Sequence, residues 1–267
     1  MGESRSDAGI AMAWDALAES WGELQGEAGD GNQKWIINPA LFALLGDVEG
    51  RSVLDAACGG GHVARALARR GARVTAVDIS SGMVALARRS PESSSLDVQY
   101  RVADIADIRE IADASFDAAV CSMALMNVAA VDKACSEFAR LLRERGRLVF
   151  SIPHPCYPRV KGGRGVSRQT DDGEDWLEYY AVESYQDEGR YEVEIPDAAG
   201  RLQSVPTYHR TLSSYVAMLT AAGFAVDGLL EPRPLDVPEA KQELGASWWD
   251  ATNRIPYWLV VRARLLS

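Results

Sequence analysis

Short apolar runs alternate with amphipathic stretches along the middle of this chain. The runs at 53–54, 72–78, 97–104, 116–123 and 147–152 are predominantly apolar, as in buried strands. Between them, apolar residues recur every three or four positions, as on the buried face of a helix. Strands that are nearly continuous in apolar residues and alternate with helices predict a doubly wound, mostly parallel α/β sheet.

Capping and stop signals predict where several helices begin and end. In residues 1–50 the apolar positions have helical spacing. Ser80 or Ser81 can cap a helix that runs through Arg89, because a serine hydroxyl accepts from the free N–H groups of a first turn. A further helix is predicted over 131–145, up to the following glycine.

The regular alternation stops after Ile152. Residues 153–207 are rich in Gly, Pro and charged side chains, and they predict an insertion of irregular strands or hairpins over the sheet. A helix ending at Gly223 and strands at 225–232 and 257–266 then complete the pattern. The sequence thus predicts an N-terminal helical cap at 1–50, a sheet core at 51–152, a lid-like insertion at 153–207 and a C-terminal part of the core at 208–267.

Composition argues against several classes of protein. The formal net charge is −10, without any block of Lys or Arg, so a nucleic-acid partner is not expected. The four cysteines form no Cys-x-x-Cys pair, which argues against disulfides and a zinc site. Residues 1–20 have no signal-peptide pattern, and the most apolar stretch, 118–131, is too short and polar for a membrane span. We expect a cytoplasmic monomer or homodimer without a membrane partner.

A glycine-rich loop after the first predicted strand is the main functional signal. Gly59 and Gly61 allow a ligand to approach the backbone, where a Cβ atom would collide. Asp55, Asp78 and Asp104 lie near the ends of strands whose carboxyl ends meet at one edge of the sheet. Carboxylates there can bind a ribose diol or an adenine amino group, so together they suit an adenosine.

The same loop leaves more than one ligand open. Gly59, Gly61 and Ala64 also fit a dinucleotide fingerprint, which would indicate an NAD-dependent oxidoreductase. Asp55 argues against it, because its carboxylate would repel a pyrophosphate and suits a ligand with an ammonium or sulfonium group. A module that keeps the fold but does not catalyse is a further alternative.

Four segments of the core occur in a defined order and spacing. They are VLDAACGGG, VTAVDIS, VADI and FDAAVCSMALMNV, and GRLVFSIPHP follows them. They resemble the first four motifs of class I S-adenosylmethionine-dependent methyltransferases and the strand after those motifs. The resemblance covers about 14–150 and resumes at about 208. It implies a seven-stranded sheet whose last strand is antiparallel, with S-adenosylmethionine as cofactor and S-adenosylhomocysteine as its product.

The resemblance also implies roles for individual residues of the core. Asp55, Ala57, Gly59 and Gly61 would line the methionine end of the cofactor, Asp78 would hold the ribose hydroxyls, Ile79 and Met83 would flank the adenine, Asp104 and Ile105 would contact its edge, and Ser122 would lie near the ribose or methionine. His62 departs from the common pattern, and it either touches the cofactor or caps the next helix.

Candidate substrate-side residues lie beyond the fourth and fifth strands and in the N-terminal helices. They are Met126 and Asn127 as pocket wall, Tyr208 and His209 after the insertion, and Trp21, with Trp14, closing the cofactor site. His154 follows the fifth strand between two prolines, where it is either a base or hydrogen-bond partner for substrate, or an anchor of the insertion. His209 is likewise either catalytic or part of a polar cap.

The insertion is rich in aromatic residues, as a lid over an aromatic acceptor or a small core of its own would be. They are Tyr157, Trp176, Tyr179, Tyr180, Tyr185 and Tyr191. No additional acidic pair points to a metal. These patterns predict a methyltransferase acting on an O or N atom of a small aromatic or apolar metabolite, as in natural-product biosynthesis. An NAD-dependent oxidoreductase and a non-catalytic S-adenosylmethionine-binding module are the alternatives.

Overall fold

Parallel strands form the centre of the protein, for which a computed structural model describes residues 4–156, 163–169, 176–182 and 184–266. The described strands are β1 Ser52–Ala56, β2 Arg73–Asp78, β3 Val98–Val102, β4 Phe116–Ser122, β5 Leu142–Pro153, β6 Gly163–Gln169, β7 Trp176–Val182, β8 Gly189–Pro196, β9 Leu202–His209, β10 Phe224–Leu230 and β11 Trp258–Leu265. One seven-stranded sheet has the order β10-β11-β5-β4-β1-β2-β3. Only β11 runs antiparallel to its neighbours, β5 and β10, which confirms the predicted fold class.

Helices cover both faces of this sheet. They are α1 Ser4–Gln25, α2 Asn38–Leu45, α3 His62–Ala68, α4 Ser81–Arg89, α5 Val131–Leu141, α6 Leu212–Ala221, α7 Pro238–Leu244 and α8 Ala246–Arg254, with a π-helical turn at Gln33–Ile37 and 3₁₀ turns at Pro91–Ser94 and Leu125–Asn127. On one face Phe138 and Phe150 are buried with residues of α6, and on the other Leu41 and Leu67 pack over β1 and β2. Among the described residues, none of the helices is both long and apolar enough to cross a membrane.

Several local signals act as predicted. The Ser80 hydroxyl accepts a hydrogen bond from the backbone N–H of Met83 at 3.0 Å, so Ser80 caps α4. Gly71 follows α3 with a φ of +82°, and its N–H donates to the carbonyl of Ala68 at 2.9 Å. These bonds fix where α3 ends before β2 and where α4 begins after it.

The predicted helix over 131–145 is wrong in its last turn. The carbonyls of Arg140 and Leu141 accept from the N–H groups of Ala114 and Ser115, both at 2.9 Å, instead of from later residues of the helix. Leu142 is then free to pair with Phe116 as the first residue of β5, where it is buried. The strand therefore begins three residues before the predicted end of the helix.

Two further predictions differ from the structure. The third strand ends at Val102 rather than at Asp104, because Asp104 enters a turn in which its carboxylate accepts from the N–H of Ala106 at 2.9 Å. The sequence also predicted no helices between the last two strands, where α7 and α8 lie. Pro238 begins α7 at a position that needs no N–H donor, a signal that the sequence offered.

The insertion contains two antiparallel hairpins, β6–β7 and β8–β9, as the irregular pattern predicted. The predicted division of the chain at 207/208 falls inside β9. The side-chain amide of Asn127, after β4, donates to the carbonyl of Pro206 and the hydroxyl of Thr207, each at 3.0 Å. The second hairpin is thereby attached to the carboxyl edge of the sheet.

Candidate functional site

The glycine loop turns sharply between β1 and α3. Ala57, Gly59 and Gly61 all have positive φ angles, of 57°, 51° and 80°. A Cβ atom on Gly61 would lie 2.8 Å from the Tyr100 hydroxyl, whereas one on Gly59 would meet nothing within 4 Å. Gly61 is therefore required by packing behind the loop, and Gly59 leaves the backbone open toward the cleft.

Asp78 connects the end of β2 to this loop. Its carboxylate accepts the N–H of Gly59 at 2.8 Å and the N–H of Ser80 at 2.9 Å, and the side chain is buried. Burial raises the pKa of Asp78, and the two N–H donors oppose that shift. A carboxylate has about four acceptor positions, so two remain for a ligand with paired hydroxyls.

Asp55 lies beside Asp78 and is only 1% exposed. Its Oδ2 atom has no hydrogen-bond partner among the described residues. Burial, followed by the charge of Asp78, raises the pKa of Asp55 to about 8. A buried acid in this state favours a ligand whose positive charge would stabilise the carboxylate.

Buried Arg65 supports the loop from below, a role that the sequence analysis missed. Its guanidinium donates to the carbonyl of Gly60 at 2.7 Å and pairs with Glu27 at 3.1 Å. The side chain is 2% exposed, although it occupies a helix of alternating Ala and Arg that suggests a solvated face. An arginine inside the apolar stripe of α3 is the signal that could have identified it.

A second missed residue, Asp15, joins the N-terminal helix to the same region. Its carboxylate accepts from the hydroxyl of Ser80 at 2.6 Å and from the N–H of Gly82 at 2.8 Å. The acidic side chain thus lies at the N-terminus of α4, where the helix dipole favours negative charge. This contact holds α1 over the carboxyl end of β2.

His62 is the first residue of α3 and borders the cleft. The helix begins after Gly61 without a side-chain cap, so the predicted capping role of His62 is not seen. The ring is 9% exposed, and its Nε2 atom has no partner among the described residues. Burial, then the charge of Arg65, lowers the pKa of His62 to about 4, so the ring is neutral at pH 7.

The predicted cofactor residues come together at one cleft at the carboxyl edge of the sheet. Its lining includes Asp55, Ala57, Gly59, Asp78, Ile79, Met83, Asp104, Ile105 and Ser122, while Gly61 forms the turn behind it. Trp14 and Trp21 of α1 border the opposite side, with their ring centroids 5.1 Å apart. Paired acceptors, apolar walls and an unpartnered buried carboxyl oxygen fit an adenosyl ligand with a positive charge.

A second cleft adjoins the first and contains every predicted substrate-side residue. Its lining includes Trp21, Met126, Asn127, His154, Tyr208 and His209. Tyr191, Tyr215, Tyr257 and Trp258 add an aromatic wall. The two clefts share Trp14, Trp21, Gln25, Gln33, Met123 and Asn127. Met123 has a φ of 53°, a strained backbone for a non-glycine residue of the kind that clusters at functional sites.

Both ring nitrogens of His154 have partners. Nε2 lies 3.0 Å from the Glu231 carboxylate, and Nδ1 accepts the N–H of Cys156 at 3.2 Å. In the neutral ring Nε2 then carries the proton and donates it to Glu231. This arrangement leaves neither ring nitrogen free to accept a proton from a substrate. It therefore favours a role for His154 in anchoring the insertion over a role as general base, and both roles stay predictions.

We expect His154→Gln to lower kcat by less than about tenfold, because a general base contributes 100-fold or more. Loss of one half-exposed contact should lower Tm by about 2–4 °C. Glu231→Gln, which breaks the same contact, should give a matching Tm change in thermal unfolding. A loss of kcat above about 100-fold with a flattened acidic limb of the pH profile would establish His154 as the base.

His209 is also held by the protein. Its Nε2 donates to the carbonyl of Tyr185 at 2.8 Å, and the two rings pack edge to face at 5.9 Å. The neighbouring guanidinium of Arg210 donates to the carbonyls of Val128 and Ala129 at 2.7 and 2.8 Å. The Arg210 bonds tie the hairpin to the loop after β4, and the Tyr185 contacts favour a structural role for His209. The predicted polar cap with Tyr208 stays a prediction.

Only part of the aromatic set in the insertion can be placed. Tyr185 packs on His209, and Tyr191 lines the second cleft. Tyr157 and the side chains of Trp176, Tyr179 and Tyr180 lie outside the described residues. Across the described parts of the chain, no group of three or more His, Cys, Asp or Glu side chains could hold a metal ion.

Comparisons with known proteins identify the core. Residues 54–150 match the family described as "Methyltransferase domain". The ubiquinone biosynthesis O-methyltransferases of Alkalilimnicola ehrlichii and Xanthomonas oryzae pv. oryzae are 34% and 38% identical over 142 and 144 residues. These segments are 52% and 51% of this chain, which spans only 56% and 57% of the two relatives.

A solved structure is similar over nearly the whole chain. The S-adenosylmethionine-dependent methyltransferase from Mesorhizobium loti has a TM-score of 0.70 and 27% sequence identity. The match covers 90% of this chain and 100% of that protein, including strands beyond residue 150. Residues 54–150 thus match a methyltransferase domain, and the ordered motifs, the strand order of the sheet and the Mesorhizobium loti structure make the chain similar to the class I S-adenosylmethionine-dependent methyltransferases.

Proposed function

We propose that this chain binds S-adenosylmethionine in the first cleft and methylates an O or N atom of a small aromatic or apolar molecule in the second. The observation that carries the proposal is the shared wall of the two clefts. Trp21, Gln33, Met123 and Asn127 border both, so ligands in the two clefts would meet there. Such an arrangement suits a transfer that depends on positioning two groups in line.

Residues of the first cleft supply a separate contact for each part of the cofactor. Asp78 would accept from the ribose hydroxyls while it holds the loop through Gly59. Ile79, Met83 and Ile105 offer an apolar slot for the adenine. When bound, the cofactor supplies a methyl group already activated as an electrophile on a sulfonium. The protein's part is then to orient the acceptor and exclude water.

The second cleft favours a neutral, flat acceptor. Aromatic side chains from α1, β8, β11 and α6 border it, and aromatic rings prefer stacked or edge-on partners. Its cationic residue Arg210 is engaged by backbone carbonyls, and Asp30 accepts the N–H of Gln33 at 2.9 Å. The O-methyltransferase names of the relatives support oxygen as the first atom to test.

Isothermal titration with S-adenosylmethionine, S-adenosylhomocysteine and NADH tests the cofactor, and S-adenosylhomocysteine release with a panel of phenols and aromatic amines tests the reaction. We expect micromolar binding of both adenosyl ligands, none of NADH, and turnover with at least one phenol. Binding of NADH alone, or of no ligand, would overturn the proposal. Adenosyl binding without turnover across the panel would indicate the non-catalytic module.

A further inference from the structure

Besides the Asp55 oxygen, three buried polar side-chain atoms at the first cleft have no hydrogen-bond partner among the described residues. They are Oε1 of Gln25, Oε1 of Gln33 and Nε2 of His62. The three side chains are 5%, 8% and 9% exposed, and all border the cleft. Because a buried acceptor without a donor is costly, this cluster indicates a ligand that brings several donors.

The local contacts define which atoms are presented to the cleft. The amide nitrogen of Gln25 donates to the Asp30 carboxylate at 3.5 Å, and the backbone N–H of Gln33 donates to it at 2.9 Å. Because its amide nitrogen donates to Asp30, the oxygen is the unpartnered polar atom of the Gln25 side chain. Neither Gln25 nor Gln33 lies in a recognisable sequence motif, because both belong to the predicted N-terminal cap.

Gln33 and His62 also both lie close to the backbone of Gly29. A Cβ atom on Gly29 would be 2.4 Å from Oε1 of Gln33 and 3.2 Å from Cδ2 of the His62 ring. Gly29 also has a φ of +87°. Both this backbone angle and the lack of space for a Cβ atom therefore require glycine at position 29. The two acceptors are thus held close together, although they belong to the cap and to α3.

The charged side chains around these three atoms favour a cationic ligand. Asp55 borders the same cleft with an unpartnered Oδ2, and Asp30 lies directly behind the two glutamines. Arg65, the nearby cation, is already bound to Gly60 and Glu27. Neutral and anionic acceptors around one point suit a small cation with several N–H donors, which is an ammonium group.

We propose that Gln25, Gln33 and His62 bind the α-ammonium group of the cofactor's methionine moiety, so that the N-terminal cap selects ligands with an intact amino acid. This rests on the proposed function. The two glutamines also border the second cleft, so a donor group on the methyl acceptor is the competing occupant. The experiment below separates the two.

Titration calorimetry would compare three ligands that differ only at the amino-acid end. They are S-adenosylhomocysteine, its analogue lacking the amino group, and 5′-methylthioadenosine, which lacks the amino acid. The variants are Gln25→Met, Gln33→Met and the double variant, which keep side-chain length and remove the acceptor. Gln99→Met, on the exposed surface of β3, is the matched control.

We expect each single variant to bind S-adenosylhomocysteine about tenfold more weakly, and the double variant more weakly still. Binding of the deaminated analogue and of 5′-methylthioadenosine should change less than twofold. The Tm of ligand-free Gln33→Met should be unchanged or higher, because an unpartnered buried acceptor is removed. Gln25→Met also loses the amide donation to Asp30 at 3.5 Å, so its Tm is compared with that of Gln33→Met. A structural role would instead lower Tm and weaken all three ligands equally.

Two results would overturn the inference alone. One is an unchanged S-adenosylhomocysteine affinity in the double variant. That result would indicate that the two glutamines bind a donor group of the methylated substrate instead of the cofactor. The other is equal weakening of the deaminated analogue. If the wild-type protein bound none of the three ligands, the proposed function itself would fail and this inference with it.

Discussion

Asp78→Asn is expected to weaken S-adenosylhomocysteine binding by at least about 100-fold, since hydrogen bonds to a charged group contribute ~1.5–3 kcal/mol each. The wild-type carboxylate accepts from Gly59 and Ser80 and keeps acceptor positions for two ribose hydroxyls. Asparagine has one acceptor oxygen, so its NH₂ group would oppose one of the two backbone N–H donors. The variant therefore loses ligand contacts and disturbs the loop that forms the cleft.

The matched control for this variant is Asp117→Asn. Asp117 also accepts a backbone N–H, from Ser52 at 2.8 Å, but it lies at the start of β4, at the opposite end of the sheet. Its substitution should change ligand affinity less than twofold in the same calorimetric titration. If Asp78→Asn bound S-adenosylhomocysteine within threefold of wild type, Asp78 would not hold the ribose.

The core of the fold could be predicted because its signals are local. The apolar runs of β1, β2 and β4 report burial directly, and Ser80 reports a helix start through one short-range hydrogen bond. Glycine at 59 and 61 likewise reflects the backbone of the loop itself. Signals of this kind depend on a few residues that are close in sequence, and the features that they predict are present in the structure.

The sequence predicts wrongly, or leaves alternatives open, where contacts with distant residues determine the structure. The end of α5 depends on Ala114 and Ser115, which take the carbonyls of Arg140 and Leu141. The bonding of His154 depends on Glu231, 77 residues further along the chain. No local pattern around 141 or 154 contains those partners, so periodicity overextends the helix and the sequence leaves the role of His154 open.

The residues of the candidate site likewise fall into those that local motifs predict and those whose role depends on distant contacts. The cofactor edge could be read from motifs, because each motif ends a strand at the same edge of the sheet. Gln25, Gln33 and Arg65 could not, because their burial depends on α1 and the π-helical turn packing against α3. Polar residues on a helix indicate a solvated face until the neighbouring element is known.

Asp55→Asn is expected to weaken S-adenosylmethionine binding by about 10–100-fold, and to stabilise the ligand-free protein by an amount that grows as the pH rises from 3.8 to about 8. In the wild type, burial and the charge of Asp78 raise the pKa of Asp55 to about 8, so most of the ligand-free protein holds a neutral acid at pH 7. Asp78 remains the charged member of the pair, because two N–H donors favour its carboxylate. A cationic ligand would favour ionised Asp55.

The direction of the stability change follows from the two pKa values of Asp55. An unfolded aspartate ionises near pH 3.8, whereas the folded one ionises near 8. Between these values the folded state binds a proton that the unfolded state has lost, so stability falls as the pH rises. Asparagine removes this dependence.

Asp117 provides the opposite case. Burial raises the pKa of Asp117, but the Ser52 N–H and Arg143 outweigh this effect, so the pKa is lowered. Asp117→Asn should therefore destabilise the protein at neutral pH.

Proton release gives the most direct measurement for Asp55. Titration of S-adenosylmethionine at pH 7 in two buffers with different ionisation enthalpies should show close to one proton released by the wild type and none by Asp55→Asn. The loss of affinity should be smaller for S-adenosylhomocysteine, which lacks the sulfonium charge. Equal heats in both buffers for the wild-type protein would mean that Asp55 does not change protonation on binding. In that case the buried acid serves as a neutral hydrogen-bonding group, and the cation would have to be stabilised by the cleft's other acceptors.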